Sequence, residues 1–317
     1  MSVLEQIKEF IGKAKKILII THENPDGDAV GSSLGLMNGL KKLEGKEIDV
    51  VIPEMNEMYN FLPGFDEIKK EANPEEYDLC IALDSSDLDR LGKCKDLFEK
   101  IEDTIVIDHH ITNQNFADVN YVNAVASSTC QNIIVILAAL DISINKEMAT
   151  CIYSGILTDT GGFRYNVQPE TFEFAGMLLE TGIDLARIYK RLFDETTIAR
   201  TKLLGRAIDN LEILEDGKVA FTYVTEKDMQ ELGNKDGDQE NIVNYGRNIA
   251  GVEVSVFLRE KDGKYKVSMR SNEYLDVSVI ATMFLGGGHV KAAGFEIAES
   301  LEEAKETIIA EIRKQLK

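Results

Sequence analysis

Short apolar runs that end at an acidic residue or a histidine are the feature that most limits how this chain can fold. Three such runs, each with the polar residue that follows it, are residues 17–20 with His22, 79–83 with Asp84, and 105–107 with Asp108. Helical stretches separate these runs from one another and from a further apolar run at 48–52. This alternation predicts an α/β fold with a mostly parallel, doubly wound sheet. Because open sheets of this kind bind ligands at the carboxyl ends of their strands, we expect the polar residues to gather at one edge.

The sequence changes character near residue 211. A strand-like segment at 219–224 and two apolar runs around the turn Asp262-Gly263 follow this point, and the latter pattern is typical of a hairpin. We therefore predict a second, smaller α/β domain that faces the first across a cleft. The predicted parts are a first domain over residues 1–190, a helical connector over 191–210, and a second domain over 211–317.

Local patterns predict the elements around the strand ends. Asp28 is predicted to cap a helix that runs to residue 45. Two further helices are expected over 127–140, which opens at a Ser-Ser-Thr capping segment, and over 145–158. In the second half, the consecutive glycines and the histidine at 286–289 are expected to form a turn that opens a helix.

The composition disfavours several classes of protein. A net charge of −20 at pH 7 argues against broad binding to duplex nucleic acid, which basic surfaces drive. No run approaches the roughly 18 apolar residues of a membrane span, and the first residues lack the pattern of a signal peptide. The four cysteines form no CxxC pair, so buried thiols are expected rather than a disulfide framework. These features predict a cytoplasmic protein that contacts neither membrane nor duplex DNA.

The chain has four histidines, and each lies in a segment typical of functional sites. The segments are Thr-His-Glu-Asn-Pro-Asp-Gly-Asp at 21–28, Asp-His-His at 108–110, and Gly-Gly-Gly-His at 286–289. Single aspartates at Asp84 and Asp159 complete the set. Mixed carboxylates and imidazoles suit Mn²⁺ or a similar divalent ion. Five or more converging ligands exceed the needs of one ion and match a two-metal site, with ions about 3.5–4 Å apart.

Each of these motifs also has a plain structural interpretation. Asp-Gly-Asp is common in ordinary turns, where an aspartate bonds its own backbone. Asp84 lies in a polar loop and Asp159 follows a helix, so neither identifies a site alone. The segment 108–110 is more specific, because an acid and two histidines directly after an apolar strand are costly to place without partners. The combination of four such segments in one predicted domain favours a metal centre.

The order His-x-x-x-Asp-x-Asp, Asp, Asp-His-His, Asp resembles that of the DHH phosphoesterase family and covers the first half of the chain. The resemblance implies two metal ions that share Asp84 as a bridging ligand. The implied ligand sets are His22, Asp26 and Asp84 for one ion, and Asp28, Asp84, His109 and Asp159 for the other. It also implies that His110 faces the substrate phosphate, which makes His110 and Asp84 the catalytic candidates, whereas Asp108 orients a histidine.

The second half resembles the DHH-associated domain, which binds substrate. The residues that would contact the substrate are Arg270, Gly287, Gly288 and His289. Backbone N–H groups of glycines can approach a phosphate closely, His289 can donate to it, and Arg270 offers a bidentate fork. Arg164, close behind Asp159, is a further candidate, although an exposed loop arginine is an equally common explanation.

A chain with one DHH domain and one associated domain resembles the nanoRNase group of this family. The resemblance implies hydrolysis of very short RNA and of linear dinucleotides such as pApA and pGpG, and often of adenosine 3′,5′-bisphosphate. It implies two Mn²⁺ ions as cofactors and a small nucleotide or very short RNA as partner; a homodimer is left open. One alternative is a DHH-type inorganic pyrophosphatase, which the glycine run at 286–288 disfavours. Another is a nucleotide sensor without activity, which the intact metal set disfavours.

Overall fold

The computed structural model describes residues 1–235 and 237–317, which divide into two compact units. Unit 1 is Met1–Glu195 and unit 2 is Thr196–Lys317. This division splits the segment 191–210, predicted as a helical connector, and a helix over Ile198–Asp209 belongs to unit 2. None of the described helices combines the length and the apolar character needed to cross a membrane.

A five-stranded parallel sheet forms the centre of the described part of unit 1, in the order β2-β1-β3-β4-β5. The strands are β1 (Lys16–Thr21), β2 (Glu47–Val51), β3 (Leu79–Leu83), β4 (Asp103–Asp108) and β5 (Val119–Val122). The helices are α1 (Val3–Lys13), α2 (Gly27–Leu40), α3 (Lys95–Lys100), α4 (Thr129–Ala139), α5 (Lys146–Asp159), α6 (Pro169–Glu180) and α7 (Leu185–Tyr189). Short 3₁₀ turns occupy Glu57–Tyr59, Phe65–Glu67, Pro74–Glu76 and Asp89–Cys94, and a π-helical turn follows α7 at Lys190–Asp194.

Both faces of this sheet are covered, which explains the apolar runs of the sequence. Alternate side chains of a strand point to opposite faces. Ile17 and Ile19 of β1 belong to one buried cluster, which includes residues of α2, α4 and α5. Leu18 and Ile20 belong to another, which includes Phe98 of α3. The predicted doubly wound parallel sheet is confirmed.

A row of glycines lets α2 and α5 pack closely. The glycines recur at every fourth position of α2 and so share one face: Gly27, Gly31, Gly35 and Gly39. A Cβ atom added at Gly31 would lie 2.6 Å from the carbonyl oxygen of Cys151, and one at Gly27 would lie 2.4 Å from Oγ1 of Thr158. The two helices are therefore antiparallel, and the first turn of α2 lies against the last turn of α5.

The start of α2 differs from the prediction. Its N-cap is Asp26, whose Oδ1 accepts the N–H groups of Asp28 and Ala29 at 3.0 and 3.1 Å. Asp28, predicted as the cap, is the second residue of the helix and is buried, and the helix ends at Leu40 instead of residue 45. Aspartate is a favoured N-cap, so either residue suits that position in isolation. Asp26 takes it because the carboxylate of Asp28 turns inward to partners in the core.

The described part of unit 2 contains a six-stranded sheet in the order β10-β11-β9-β8-β7-β6. The strands are β6 (Glu212–Leu214), β7 (Val219–Val224), β8 (Val254–Lys261), β9 (Lys264–Ser271), β10 (Gly287–His289) and β11 (Ala292–Ile297). The helices are α8 (Ile198–Asp209), α9 (Glu226–Leu232), α10 (Ile242–Arg247), α11 (Val277–Met283) and α12 (Leu301–Arg313). β8 and β9 form the predicted hairpin, and its turn residues Asp262 and Gly263 have φ of 52° and 70°, as a two-residue type I′ turn requires.

The glycine run of unit 2 forms a strand at the sheet edge and does not open a helix. Gly287–His289 is β10, which pairs antiparallel with β11. A Cβ atom at Gly288 would lie 2.4 Å from the carbonyl oxygen of Ala292, so the close approach of the two strands requires a glycine. The predicted helix start is wrong because consecutive glycines permit many backbone conformations, and strand pairing decides among them.

We expect Gly31→Ala to lower the free energy of unfolding by about 1–3 kcal/mol, the usual effect of overpacking, because the opposing backbone carbonyl cannot turn aside. The measurement is urea denaturation of the full chain, followed by circular dichroism. Gly176→Ala is the matched control: Gly176 lies within α6, and among the described residues nothing lies within 4 Å of an added Cβ. This change should raise stability by up to about 1 kcal/mol. Equal effects of the two substitutions would contradict the close contact between α2 and α5.

Candidate active site

Seven of the described carboxylate and imidazole side chains meet at the carboxyl edge of the parallel sheet. They are His22, Asp26, Asp28, Asp84, His109, His110 and Asp159. His22, Asp84 and His109 directly follow β1, β3 and β4. Asp28 lies in the first turn of α2, and Asp159 is the last residue of α5. The structure thus brings together all the residues predicted from the sequence as metal ligands, although their roles stay predictions.

Asp84 lies at the centre of this group. Its Oδ2 is 3.6 Å from Nε2 of His22, and its Oδ1 is 3.6 Å from Nε2 of His109. Nε2 of His109 is also 3.5 Å from Oδ2 of Asp159. The backbone of Asp84 has a left-handed conformation (φ 57°), a strained geometry of the kind that clusters at functional sites. Each oxygen of Asp84 therefore faces a different histidine.

The donor atoms form three groups, and within each group they lie within 4.8 Å of one another. The groups are His22, Asp26 and Asp84; Asp28, His109 and Asp159; and Asp84, His109 and His110. Separations of 3.5–3.6 Å are long for hydrogen bonds but suit two donors on one ion. Coordination bonds of about 2.1 Å, at an angle near 110°, place two donors about 3.5 Å apart. Carboxylate and imidazole donors without thiolate fit a divalent metal ion.

The N-terminus of α4 holds two of these carboxylates. The N–H groups of Thr129 and Cys130 donate to Asp28 at 2.6 and 2.8 Å, and the hydroxyl of Thr129 donates to Oδ1 of Asp84 at 2.9 Å. N–H groups in the first turn of a helix have no partner within the helix and carry partial positive charge. The Ser-Ser-Thr capping segment is visible in the sequence, but Thr129 and Asp28 are 101 residues apart, so the contact could not be predicted.

Burial and mutual repulsion dominate the electrostatics of the site. Burial raises the pKa of Asp28 well above its usual value, and the charges of Asp84 and Asp159 raise it further. Burial likewise raises the pKa of Asp159 to about 6, despite the nearby imidazole of His109. Burial also acts to raise the pKa of Asp84, but the surrounding histidines outweigh it, and that pKa is lowered. A cation placed among these groups would relieve the repulsion.

Asp108 contacts the histidines next to it and not the central carboxylates. It is fully buried, and among the described residues it belongs to none of the three donor groups. Its Oδ1 accepts Nδ1–H of His110 at 2.7 Å and the backbone N–H of His109 at 2.8 Å. Since an ionised carboxylate can only accept, Nδ1 of His110 carries a proton and Nε2 is the nitrogen available to a ligand. The hydrogen bond from His110 to Asp108 raises the pKa of His110.

The predicted substrate-binding residues fall into two places. Arg164 is exposed in the loop after α5, in unit 1. The others belong to unit 2: Arg270, Gly287, Gly288 and His289. On the unit 2 sheet, Arg270 of β9 and His289 of β10 both lie opposite Ala292 of the strand between them. Residues directly opposite in an antiparallel ladder share a face, so Arg270 and His289 lie on one face with a small alanine between them.

Comparison with known proteins agrees with this geometry. Residues 16–156 match the model of the DHH family N-terminal domain, and residues 216–317 match that of the DHHA1 domain. The chain is 34% identical over 306 residues to the bifunctional oligoribonuclease and PAP phosphatase NrnA of Thermus thermophilus, covering 95% of this chain and 90% of that protein. It is 27% identical to NrnA of Bacillus subtilis, covering 89% of each chain.

A solved structure extends this likeness to the whole fold. An exopolyphosphatase-related protein from Bacteroides fragilis superposes with a TM-score of 0.88 at 31% sequence identity, covering 98% of this chain and 96% of that one. The sequence motifs, the donor groups at the sheet edge and these relatives lead to the same conclusion. The chain belongs to the DHH family and carries a DHHA1 domain in its second half.

Proposed function

We propose that this chain is a metal-dependent phosphoesterase that hydrolyses very short oligoribonucleotides and linear dinucleotides, such as pApA and pGpG, to mononucleotides. We extend the proposal to adenosine 3′,5′-bisphosphate, with AMP as product. The observation that carries it is the position of Asp84, whose two oxygens each face a histidine of a different donor group. The likeness to NrnA over 95% of the chain supports the substrate class.

Two Mn²⁺ ions are the proposed cofactors. The proposed ligand sets are His22, Asp26 and Asp84 for one ion, and Asp28, Asp84, His109 and Asp159 for the other. When bound, such a pair supplies positive charge to the phosphoryl oxygens and a water of lowered pKa. Asp84 would belong to both ligand sets, because one of its oxygens faces His22 and the other faces His109.

His110 is proposed to move the proton of the reaction. As the water oxygen joins phosphorus, it gives a proton to Nε2 of His110, and the P–O bond to the leaving ribose oxygen breaks. His110 then passes that proton to the leaving oxygen. Nε2 can accept the proton because the other ring nitrogen, Nδ1, already donates its hydrogen to Asp108. A positioned histidine is the most common general acid or base in enzymes.

Unit 2 is proposed as the substrate platform. Arg270 is half-buried, and burial together with the positive charge of Arg247 lowers its pKa, so a bound anion would relieve an unfavourable charge there. His289 shares the face of Arg270, and the exposed glycines Gly287 and Gly288 precede it. In this proposal, residues 1–190 carry the chemistry and residues 211–317 hold the nucleotide, with 191–210 joining them. Arg164 is proposed as an additional phosphate contact.

We propose a cytoplasmic location for the enzyme. Its partner is the substrate itself, a small nucleotide or very short RNA. A homodimer stays open.

A substrate panel tests the proposed function directly. We expect pApA, pGpG and adenosine 3′,5′-bisphosphate to be hydrolysed with Mn²⁺, and activity to be lost after chelation because the carboxylates alone provide no electrophile. The measurement is product formation by chromatography, with inorganic pyrophosphate as the comparison substrate. Pyrophosphate hydrolysis faster than that of every nucleotide would favour a pyrophosphatase and refute the proposal.

We expect Asp84→Asn to lower kcat/KM for pApA by more than about 100-fold, beyond the loss usual for a residue that only supports a ligand. The reason is that one oxygen of Asp84 faces His22 and the other faces His109, so the two proposed ligand sets lose the negative charge that they share. Asp89→Asn is the matched control, since Asp89 lies on the same connection after β3 but is exposed and pairs with Lys95. Near-normal turnover of Asp84→Asn would contradict the two-metal proposal.

We expect substitutions of Arg270 and His110 to change different kinetic constants. Arg270→Ala removes a charge-assisted contact worth roughly 1.5–3 kcal/mol and should raise KM for pApA by roughly 10- to 150-fold. His110→Ala should mainly lower kcat, by roughly 10²–10⁴-fold, because it removes the proton carrier. Steady-state kinetics of both variants separate these effects. Lys266→Ala is the control for Arg270, since Lys266 lies four residues earlier on the same face of β9 and is exposed. A KM for Arg270→Ala equal to that of Lys266→Ala would remove Arg270 from the substrate site.

A further inference from the structure

The side-chain amide of Asn113 joins two parts of the site that are distant in the chain. Its Nδ2 donates to Oδ2 of Asp108 at 2.7 Å and to the carbonyl oxygen of Ser85 at 3.0 Å. Ser85 follows the central carboxylate Asp84, and Asp108 precedes the two histidines. Both hydrogens of the amide are therefore used, one on each loop.

The segment around Asn113 fixes the orientation of this amide. Its Oδ1 accepts the N–H of Asn115 at 2.7 Å, and its own N–H donates to the carbonyl oxygen of His110 at 3.1 Å. The next residue, Gln114, donates its N–H to the carbonyl oxygen of Ser86 at 2.8 Å. An amide whose oxygen and backbone are both bonded has one orientation, so its donors point at Asp108 and Ser85.

Asp108 can orient His110 only if its carboxylate does not rotate. Its Oδ1 already accepts two hydrogen bonds, from His110 and from the backbone of His109. The bond from Asn113 fixes the other oxygen and adds a third donor. Three hydrogen bonds on its two oxygens leave this buried carboxylate little freedom to rotate, so Oδ1 stays directed at Nδ1 of His110.

We infer that Asn113 is a positioning residue for the proposed reaction: it locks the carboxylate of Asp108, which sets the Nδ1–H form and the direction of His110. The catalytic consequence rests on the proposed function. The form of His110 does not, because it is observable without substrate. One competing explanation is that Asn113 only ties the two loops together, in which case its loss would lower the unfolding temperature and the Mn²⁺ affinity. Another is that it only fills space.

Two substitutions at Asn113 separate these explanations. Asn113→Ala removes the amide. Asn113→Asp keeps its shape but puts an acceptor where both donors were, facing Asp108 and the carbonyl of Ser85. If Asn113 acts as a hydrogen-bond donor, Asn113→Asp should have a lower kcat than Asn113→Ala. If Asn113 only fills space, Asn113→Asp should have the higher kcat. Asn120→Ala is the matched control, because the amide of Asn120 makes two backbone bonds with Ala117, at 3.1 and 2.7 Å, away from the site.

The kinetic arm uses the full chain with pApA and Mn²⁺. We expect kcat to fall about 10- to 100-fold in Asn113→Ala, the usual range for a residue that orients a functional side chain through a hydrogen bond. In Asn113→Asp we expect kcat to fall further. KM, the affinity for Mn²⁺ and the unfolding temperature should stay close to those of Asn120→Ala. A kcat of Asn113→Asp at or above that of Asn113→Ala, or a parallel loss of Mn²⁺ affinity, overturns the inference.

The spectroscopic arm needs no substrate. Nitrogen-15 NMR of the imidazoles, recorded with Mg²⁺ because Mn²⁺ broadens signals, should show His110 in the Nδ1–H form in the wild type. Both Asn113 variants should show a mixture with the Nε2–H form. The chain has four histidines, so a His110→Gln sample assigns the signal. An unchanged His110 signal in both variants overturns the inference. A wild type that hydrolyses no nucleotide refutes the proposed function and leaves this measurement valid.

Discussion

Repulsion among buried carboxylates is the interaction on which the rest of the site depends. Asp28 and Asp84 are almost completely buried, and Asp159 lies close to both. Two like charges 4 Å apart repel by about 4 kcal/mol at an effective dielectric constant near 20, so three together need compensation. The N-terminus of α4 and the surrounding histidines provide part of it. A divalent metal ion would supply the remainder, which is why this edge of the sheet fits a metal centre.

The contact between α2 and α5 sets the geometry in which this repulsion is held. A Cβ atom at Gly155 of α5 would lie 2.2 Å from Sγ of Cys130 and 3.0 Å from Oδ1 of Asp28. A larger residue there would displace Asp28 from the N–H groups of α4 that hold it. The glycines of the two helices therefore do more than pack the core, because the spacing of the carboxylates at their ends depends on the same contact.

The sequence predicts those parts of the site that depend on residues close together in the chain. An apolar run followed at once by a polar residue, as at His22 and Asp84, defines a strand and its carboxyl end together, and the structure confirmed both strands. Contacts between distant segments carry no such signal, and Asp28 meets Thr129 across 101 positions. The predicted helix start at the glycine run 286–288 is wrong for a different reason. Glycine allows either outcome, and the choice depends on pairing with β11, which local sequence does not encode.

The charge of the chain bears on the size of nucleic acid that the proposed enzyme can take. Affinity for a phosphate backbone comes from lysine and arginine, and a chain with a net charge of −20 offers a long strand mostly repulsion. A dinucleotide carries few phosphates and needs positive charge only locally. In the proposed enzyme, Arg270 would supply this charge on the unit 2 sheet, on the face that it shares with His289, and a metal ion held by the donor groups of unit 1 would supply it there. Discrimination against the wrong ligand often depends on unfavourable contacts as much as on favourable ones. The acidic surface would thus favour short substrates over long ones.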